Sequence, residues 1–320
     1  MSFSGKVKEE LGSHVSRARH CQIAELAALF GCCGKIVREE NGKFSAKFVT
    51  ENLTVAKKYS ILVKKAFSFQ IDMSVRGHQY FVYILDTDDA LKFFQALKCL
   101  EGKALVHELV VQRSCCKRAF VRGLFLACGS VTDPERGYHL EMALGSLGKA
   151  TEALQLLKAF DVEARIVERK KNYIVYVKEG SRIVDLLNVM EAHVALMAFE
   201  NVRIMKEMRN TINRKVNCET ANIKKTVSAS ARQIADIQYI KDTSGFGTLP
   251  KGLADIANLR LEHAEVSLKE LGSMLEPPIG KSGVNHRLRR LSEIAADMRS
   301  RDTGQSGTKK LEDKNDREEC

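Results

Sequence analysis

Apolar positions along this chain follow two periods, and the succession of periods itself repeats. Leu26–Gly34 (LAALFGCCG) and Val121–Gly129 (VRGLFLACG) each predict an apolar helix closing on glycine, with Gly34 and Gly129 as the helix C-caps. Period-two alternation follows, through Phe44, Ala46 and Phe48 in one stretch and Tyr138, Leu140 and Met142 in the other, predicting a strand in each. Next come a helix (Val55–Phe67; Lys149–Phe160), two strands and a closing helix (Asp88–Leu97; Arg182–Met190). Lys65-Ala66-Phe67 recurs as Lys158-Ala159-Phe160, and Tyr80–Leu97 aligns with Tyr173–Met190, at a spacing of about 93 to 95 residues. The order predicts an α+β domain over residues 1–200, pseudo-duplicated as repeats of about 20–100 and 115–195, with antiparallel sheets covered by helices on one face. Ala24, Ala27, Ala28 and Gly31 in one apolar helix, and Ala119, Gly123 and Ala127 in the other, are small enough for the two backbones to pack closely and join the halves.

Beyond residue 200 the pattern changes. Residues 201–225 are polar and basic, rich in Asn, without extended periodicity, and read as a linker beginning as the tail of a helix. Residues 226–300 then predict an all-α domain. Ser228 or Ser230 caps a helix through Ile234, Ile237 and Ile240, stopped at Asp242–Gly245. A second helix starts near Pro250 and carries Leu253, Ile256, Ala257 and Leu261. Ser267 and Glu270 form a capping box opening a third helix that buries Leu268, Leu271 and Leu275 and ends before Pro277-Pro278. In the fourth, from Lys281, the stripe Val284, Leu288, Leu291 and Ala295 faces inward. The opposite arc collects Ser282, Asn285, His286, Arg289 and Arg290, with Lys281 near the helix start and Arg287 beside it. Every long side chain on that arc donates hydrogen bonds, and no acid interrupts it from Lys281 to Arg290.

A short capped helix, a turn and a donor-rich amphipathic helix make a helix-turn-helix spanning about Ser267 to Arg299. Its expected partner is double-stranded DNA, contacted by Lys281, Ser282, Asn285, His286, Arg287, Arg289 and Arg290. The turn Glu276–Lys281 is longer than the tight turn of repressors and resembles the −35-reading region of sigma factors. Residues 301–320, Gly/Ser/Thr-rich and then of mixed charge, read as a disordered tail.

Composition narrows the class. The net charge is +11, and residues 201–300 carry 17 Lys/Arg against 11 Asp/Glu, an excess suited to a polyanion. With 44% hydrophobic and 28% charged residues the chain reads as globular. No apolar run is long enough to span a membrane and the N-terminus lacks a signal-peptide core, so a cytoplasmic, nucleoid-associated location is expected. The nine cysteines show no CxxC or Cys/His zinc spacing and most of them read as small buried apolar residues; neither metal nor cofactor is expected.

The paired small-residue helices resemble the LAGLIDADG homing endonucleases, whose seam helices each carry a metal-binding acid just before the terminal glycine. Here those positions are Cys33 and Cys128, while Asp133 and Glu39 lie beyond the helix ends and off register. A hard divalent cation needs oxygen ligands there, so no catalytic residue is assigned and the nuclease scaffold reads as degenerate. The outward sheet residues Lys43, Ser45, Lys47, Gln70 and Arg76 suit phosphate, whereas Glu141 and Glu163 beside Arg165 do not, leaving DNA and protein contacts both open for this domain. Joined to SLKELGSMLEPPIGKSGVNHRLRRLSEIA, this domain closely resembles the WhiA family of bacterial regulators. That resemblance implies a non-enzymatic regulator of transcription linked to cell division, chromosome segregation and, in sporulating species, sporulation. The alternatives are an adaptor whose N-terminal domain binds RNA polymerase, a sigma factor or another protein, and a residual endonuclease.

Overall fold

The computed structural model describes residues 1–38, 42–99 and 105–315, with side chains as far as Arg301. The chain divides into two compact units, the first Met1–Met208 and the second from Arg209 onward.

The first unit opens on α1 (Phe3–Ser13), which the alternation did not single out; its buried Val7 and Leu11 are only two apolar anchors in a polar stretch. Then comes one repeat: α2 (Arg19–Cys33), β1 (Gly34–Arg38), β2 (Phe44–Thr50), α3 (Leu53–Phe67), β3 (Asp72–Arg76), β4 (Gln79–Ile84) and α4 (Thr87–Leu97). After a 3-10 turn at Glu108–Val110 the second follows: α5 (Ser114–Cys128), β5 (Gly129–Val131), β6 (Leu140–Leu144), α6 (Leu147–Lys158), β7 (Arg165–Arg169), β8 (Asn172–Val177) and α7 (Gly180–Met190). Each repeat builds a four-stranded antiparallel sheet, in the orders β1-β2-β4-β3 and β5-β6-β8-β7. One continuous core, with Phe48, Phe93, Phe120, Phe125 and Leu187 fully buried, joins the helices to the inner sheet faces.

Gly34 and Gly129 are the C-caps of α2 and α5, as expected, but not in the left-handed conformation. Both are extended (φ −89°, ψ 156° and φ −89°, ψ 154°) and begin strands β1 and β5, which alternation alone did not reveal. Glycine is needed because the strand leaves hard against the preceding helical turn. A Cβ at position 34 would lie 2.2 Å from the Phe30 ring, and one at 129 would lie 2.4 Å from the Phe125 ring. The close seam itself is as the small residues predict: a Cβ at Gly123 of α5 would stand 2.6 Å from the Glu25 carbonyl oxygen of α2. Gly31 instead lies near the Leu105 carbonyl, and its own carbonyl accepts from Lys149 Nζ at 3.0 Å.

The stretch read as a linker is helical. A 52-residue helix, α8 (His193–Ser244), contains neither Gly nor Pro, so nothing in it breaks the backbone ladder. Glu10 of α1 caps its first turn, accepting from Val194 N–H at 2.7 Å and Ala195 N–H at 2.8 Å. Ser228 and Ser230 therefore lie within the helix, and Ser230 Oγ donates to the Ala264 carbonyl at 2.7 Å. Gly245 (φ +65°) ends α8.

The second unit continues with α9 (Lys251–Glu262), α10 (Leu268–Ser273) and α11 (Lys281–Asn315). Its core gathers Ile237 and Ile240 of α8, Ile256 and Ala257 of α9, Leu271 and Leu275, and the predicted stripe Val284, Leu288, Leu291 and Ala295. Where the composition suggested a disordered tail from residue 301, the α11 backbone runs on to Asn315, through a segment whose Lys, Leu and Glu favour helix; residues 316–320 lie outside the description.

Candidate nucleic-acid interface

The helix α10 is held open at its start by reciprocal hydrogen bonds. Glu270 N–H donates to Ser267 Oγ at 3.4 Å, and Ser267 N–H donates to the Glu270 carboxylate at 3.1 Å. The hydrogen bonds from Ser267 hold the Glu270 carboxyl below its ordinary range. The chain then turns through Met274–Gly280 and closes back on itself, with Ile279 N–H donating to the Gly272 carbonyl at 3.0 Å. Gly272 is obligatory by space: a Cβ there would lie 2.2 Å from the Ile279 carbonyl oxygen. The closure sets α10 against α11 and fixes which arc of α11 faces out.

On that arc Lys281, Ser282, Asn285, His286, Arg289 and Arg290 are all exposed. Arg287 differs. It is half-buried, and its Nη1 donates to the Gly252 carbonyl of α9 at 3.2 Å, so its guanidinium is engaged inside the unit. Glu293, one turn on, draws Arg290 to 2.9 Å and Arg289 to 3.6 Å, partly neutralising both in the free protein. Behind the arc, Arg299 bonds Asp236 of α8 at 2.8 Å and sits 4.7 Å over the Tyr239 ring, tying the far side of α11 to α8.

The seam positions of the first unit are chemically unlike a hard-metal site. Cys128 Sγ donates to the Leu124 carbonyl at 3.3 Å, and Cys33 lies near the Ala127 carbonyl. Burial pushes the Cys33 thiol up to about 12, so it is protonated and neutral at physiological pH. The Lys8 ammonium lies within electrostatic reach of both thiols, and burial lowers its pKa. Neutral thiols and a lysine do not fit Mg²⁺. Asp133 accepts from Glu135 N–H at 3.0 Å in its own turn, and Glu39 lies outside the described residues.

The outward sheet faces depart in detail from the alternation. Ser45 is buried and Gln70 precedes β3, while Lys43, Lys47 and Arg76 keep solvent access. Register brings in residues that the pattern did not mark: Lys47 pairs with Tyr83, and Val49 with Phe81. Lys47 Nζ lies 4.9 Å over the Phe81 ring and 5.9 Å over Tyr83, and Arg76 lies 5.7 Å over Phe81. The face is thus a basic platform with interleaved aromatics, visible only once strand pairing is known. On the other sheet Glu141 is engaged by His139 at 3.0 Å and Arg169 at 3.7 Å, while Glu163 and Arg165 are exposed.

Comparison with known proteins bears on these two units directly. The WhiA N-terminal LAGLIDADG-like domain matches residues 19–85, the WhiA LAGLIDADG-like domain residues 117–209, and the WhiA C-terminal HTH domain residues 212–295. The probable cell division protein WhiA of Lachnoclostridium phytofermentans is 52% identical over 312 residues, covering 93% of this chain and 100% of the relative. The protein of that name from Alkaliphilus oremlandii is 45% identical over 313 residues, covering 93% and 98%. The crystal structure of full-length DUF199/WhiA from Thermatoga maritima superposes with a TM-score of 0.59 at 26% identity, over 93% of this chain and 99% of that one. No helix among the described residues is long and apolar enough to cross a membrane. With a LAGLIDADG-like first unit, a helix-turn-helix in the second and relatives this similar over their full length, the chain belongs to the WhiA family.

Proposed function

We propose that this chain is a sequence-specific DNA-binding regulator of transcription that performs no catalysis. The observation carrying the reading is the exposed donor arc of α11, with its apolar stripe locked into the core and its start set by the α10 closure. Inserted into a major groove, such a helix offers Asn285 and Arg289 to base edges, since Asn pairs bidentately with adenine and Arg with guanine. Lys281, Ser282 and the helix N-terminus receive a phosphate, and His286 and Arg290 flank it. On binding, Glu293 releases Arg289 to the bases and Arg290 to the more strongly charged phosphate backbone. Arg287, bonded to Gly252, serves by fixing α11 on α9. The Lys47–Arg76 platform of the first unit supplies a further phosphate-friendly surface.

The absence of catalysis rests on residue chemistry, because thiols and Lys8 stand where a nuclease of this fold needs carboxylates. The relatives' names point to cell division; chromosome segregation and, in sporulating species, sporulation extend the assignment, with the protein acting at the cytoplasmic nucleoid. A second reading, an adaptor for RNA polymerase or a sigma factor, is favoured by the mixed, internally paired charges around Glu141, which suit a protein surface better than DNA.

Fluorescence anisotropy with the full chain tests the leading reading. A set of promoter fragments must include some bound with a slope in log K against log salt and with clear preference over shuffled DNA. Equal affinity for all fragments, together with capture of RNA polymerase in the absence of DNA, would favour the adaptor.

A further inference from the structure

At the opposite ends of the seam helices from Cys33 and Cys128 lies a second cluster. His20, Cys21, Cys115 and Cys116 place one imidazole nitrogen and three sulfurs all within 4.8 Å of one another. His20 Nδ1 stands 3.2 Å from Cys116 Sγ and 3.3 Å from Cys21 Sγ. A tetrahedral ion with bonds near 2.0 Å to nitrogen and 2.3 Å to sulfur requires ligand atoms roughly 3.5–3.8 Å apart, so these four need little rearrangement to enclose one. We propose that His20, Cys21, Cys115 and Cys116 form a structural zinc site that clasps α2 to α5.

Placement supports the assignment. The four residues occupy the second and third positions of two pseudo-equivalent helices, Cys21 corresponding to Cys116 and His20 to Cys115 at the 95-residue spacing that relates Gly34 to Gly129. Neither helix has a side-chain N-cap hydrogen bond, so each presents an uncompensated positive end. Three thiolates and a neutral imidazole around Zn²⁺ leave one net negative charge, which suits two such ends. Arg113 Nη1, 3.3 Å from His20 Nε2, adds a compensating cation. Metal on Nδ1 would leave a proton on Nε2, so zinc loading requires Arg113, which is exposed, to move off that nitrogen while staying beside the cluster. Three sulfurs and one nitrogen select a thiophilic ion over Mg²⁺ or Ca²⁺. No spacing rule finds the site, because the ligands come from two dipeptides in different repeats.

The test uses the full chain purified without a metal-binding tag, loaded with Zn²⁺ alone and dialysed against a weak chelator. Elemental analysis is expected to give one zinc per chain, and Co²⁺ in its place to give the visible bands of tetrahedral thiolate coordination. Cys115 is exposed, so Cys115→Ala keeps the fold by circular dichroism while losing zinc to the chelator; Cys21→Ala/Cys115→Ala loses it completely. Cys218→Ser, at an exposed thiol on α8, retains both signals. Wild-type zinc no higher than in the double variant would overturn the proposal. So would a disulfide between Cys21 and either partner in the protein isolated under reducing-compartment conditions, which would make the cluster a redox pair.

Discussion

Arg122 of α5 reaches across the seam to Glu25 of α2 at 3.1 Å, with both side chains buried. Glu25 also meets Lys58 of α3 at 3.1 Å, and Arg122 continues to Glu191, just past α7, at 2.5 Å. Lys58 further donates to the carbonyls of Leu11 (3.2 Å) and His14. Three helices, α2 and α3 of one repeat and α5 of the other, thus share one ion network with Glu191. Burial lowers the Lys58 pKa against the pull of Glu25, so keeping that ammonium charged opposes folding while its pairing offsets the penalty.

Removing the shared anion leaves two buried cations facing one another. Glu25→Ala is expected to destabilise the first unit by about 3–5 kcal/mol in urea denaturation. A loss below about 1 kcal/mol would mean that water reaches the network and the charges are not buried in solution.

Two glycines of the helix-turn-helix should respond oppositely to alanine. At Gly272 the new Cβ meets the Ile279 backbone oxygen at 2.2 Å, so Gly272→Ala should cost about 1–3 kcal/mol and weaken DNA binding by shifting the turn. At Gly283 the nearest atom is the Ile279 side-chain tip at 3.3 Å, which can give way. Gly283→Ala should be neutral or stabilise by up to about 1 kcal/mol through helix propensity. Thermal melts of both variants check the contrast.

The capping box carries a pH signature. Hydrogen bonds from Ser267 lower the folded-state Glu270 pKa, so the unfolded chain binds more protons in the window between the folded and unfolded values. The stabilisation is complete above the ordinary glutamate pKa and fades as pH falls through the depressed one. Glu270→Ala should therefore be less stable than wild type at neutral pH, with the gap closing at acid pH; a gap independent of pH would contradict the hydrogen-bonded carboxylate.

Much of this architecture was legible from the residue pattern, and the exceptions have physical reasons. The duplicated order of helices and strands and the buried stripe of α11 follow from periodicity, which core burial enforces. The capping box at Ser267 follows from local backbone chemistry. The strands that begin at Gly34 and Gly129 did not show, because in sequence a capping glycine does not reveal whether the chain leaves the helix in a turn or directly as a strand against Phe30 or Phe125. Polar composition suggested a linker at 201–225, yet helix persistence depends on breakers, and none occurs before Gly245. Helical spacing already leaves Arg287 off the outward arc that holds Arg289, but its partner was not legible: only the fold places the Gly252 carbonyl beside it.

That separation is itself testable. Arg289→Ala should leave the melting temperature unchanged and weaken specific binding by roughly 1–3 kcal/mol. Arg290→Ala should weaken specific and random DNA alike, lowering the salt slope by about 0.9. Arg287→Ala should act through stability, lowering the melting temperature of the second unit. Equal effects of all three on shuffled DNA would remove base reading from Arg289.

We propose that sequence preference resides in the exposed arc of α11. Genome-wide mapping of DNA bound by the full chain and by its Asn285→Ala/Arg289→Ala variant is the decisive measurement. Discrete peaks sharing a common sequence are expected for the wild-type chain, and loss of those peaks with diffuse binding retained for the variant. The same peaks at the same relative heights in both would contradict it and move the reading of sequence to another surface.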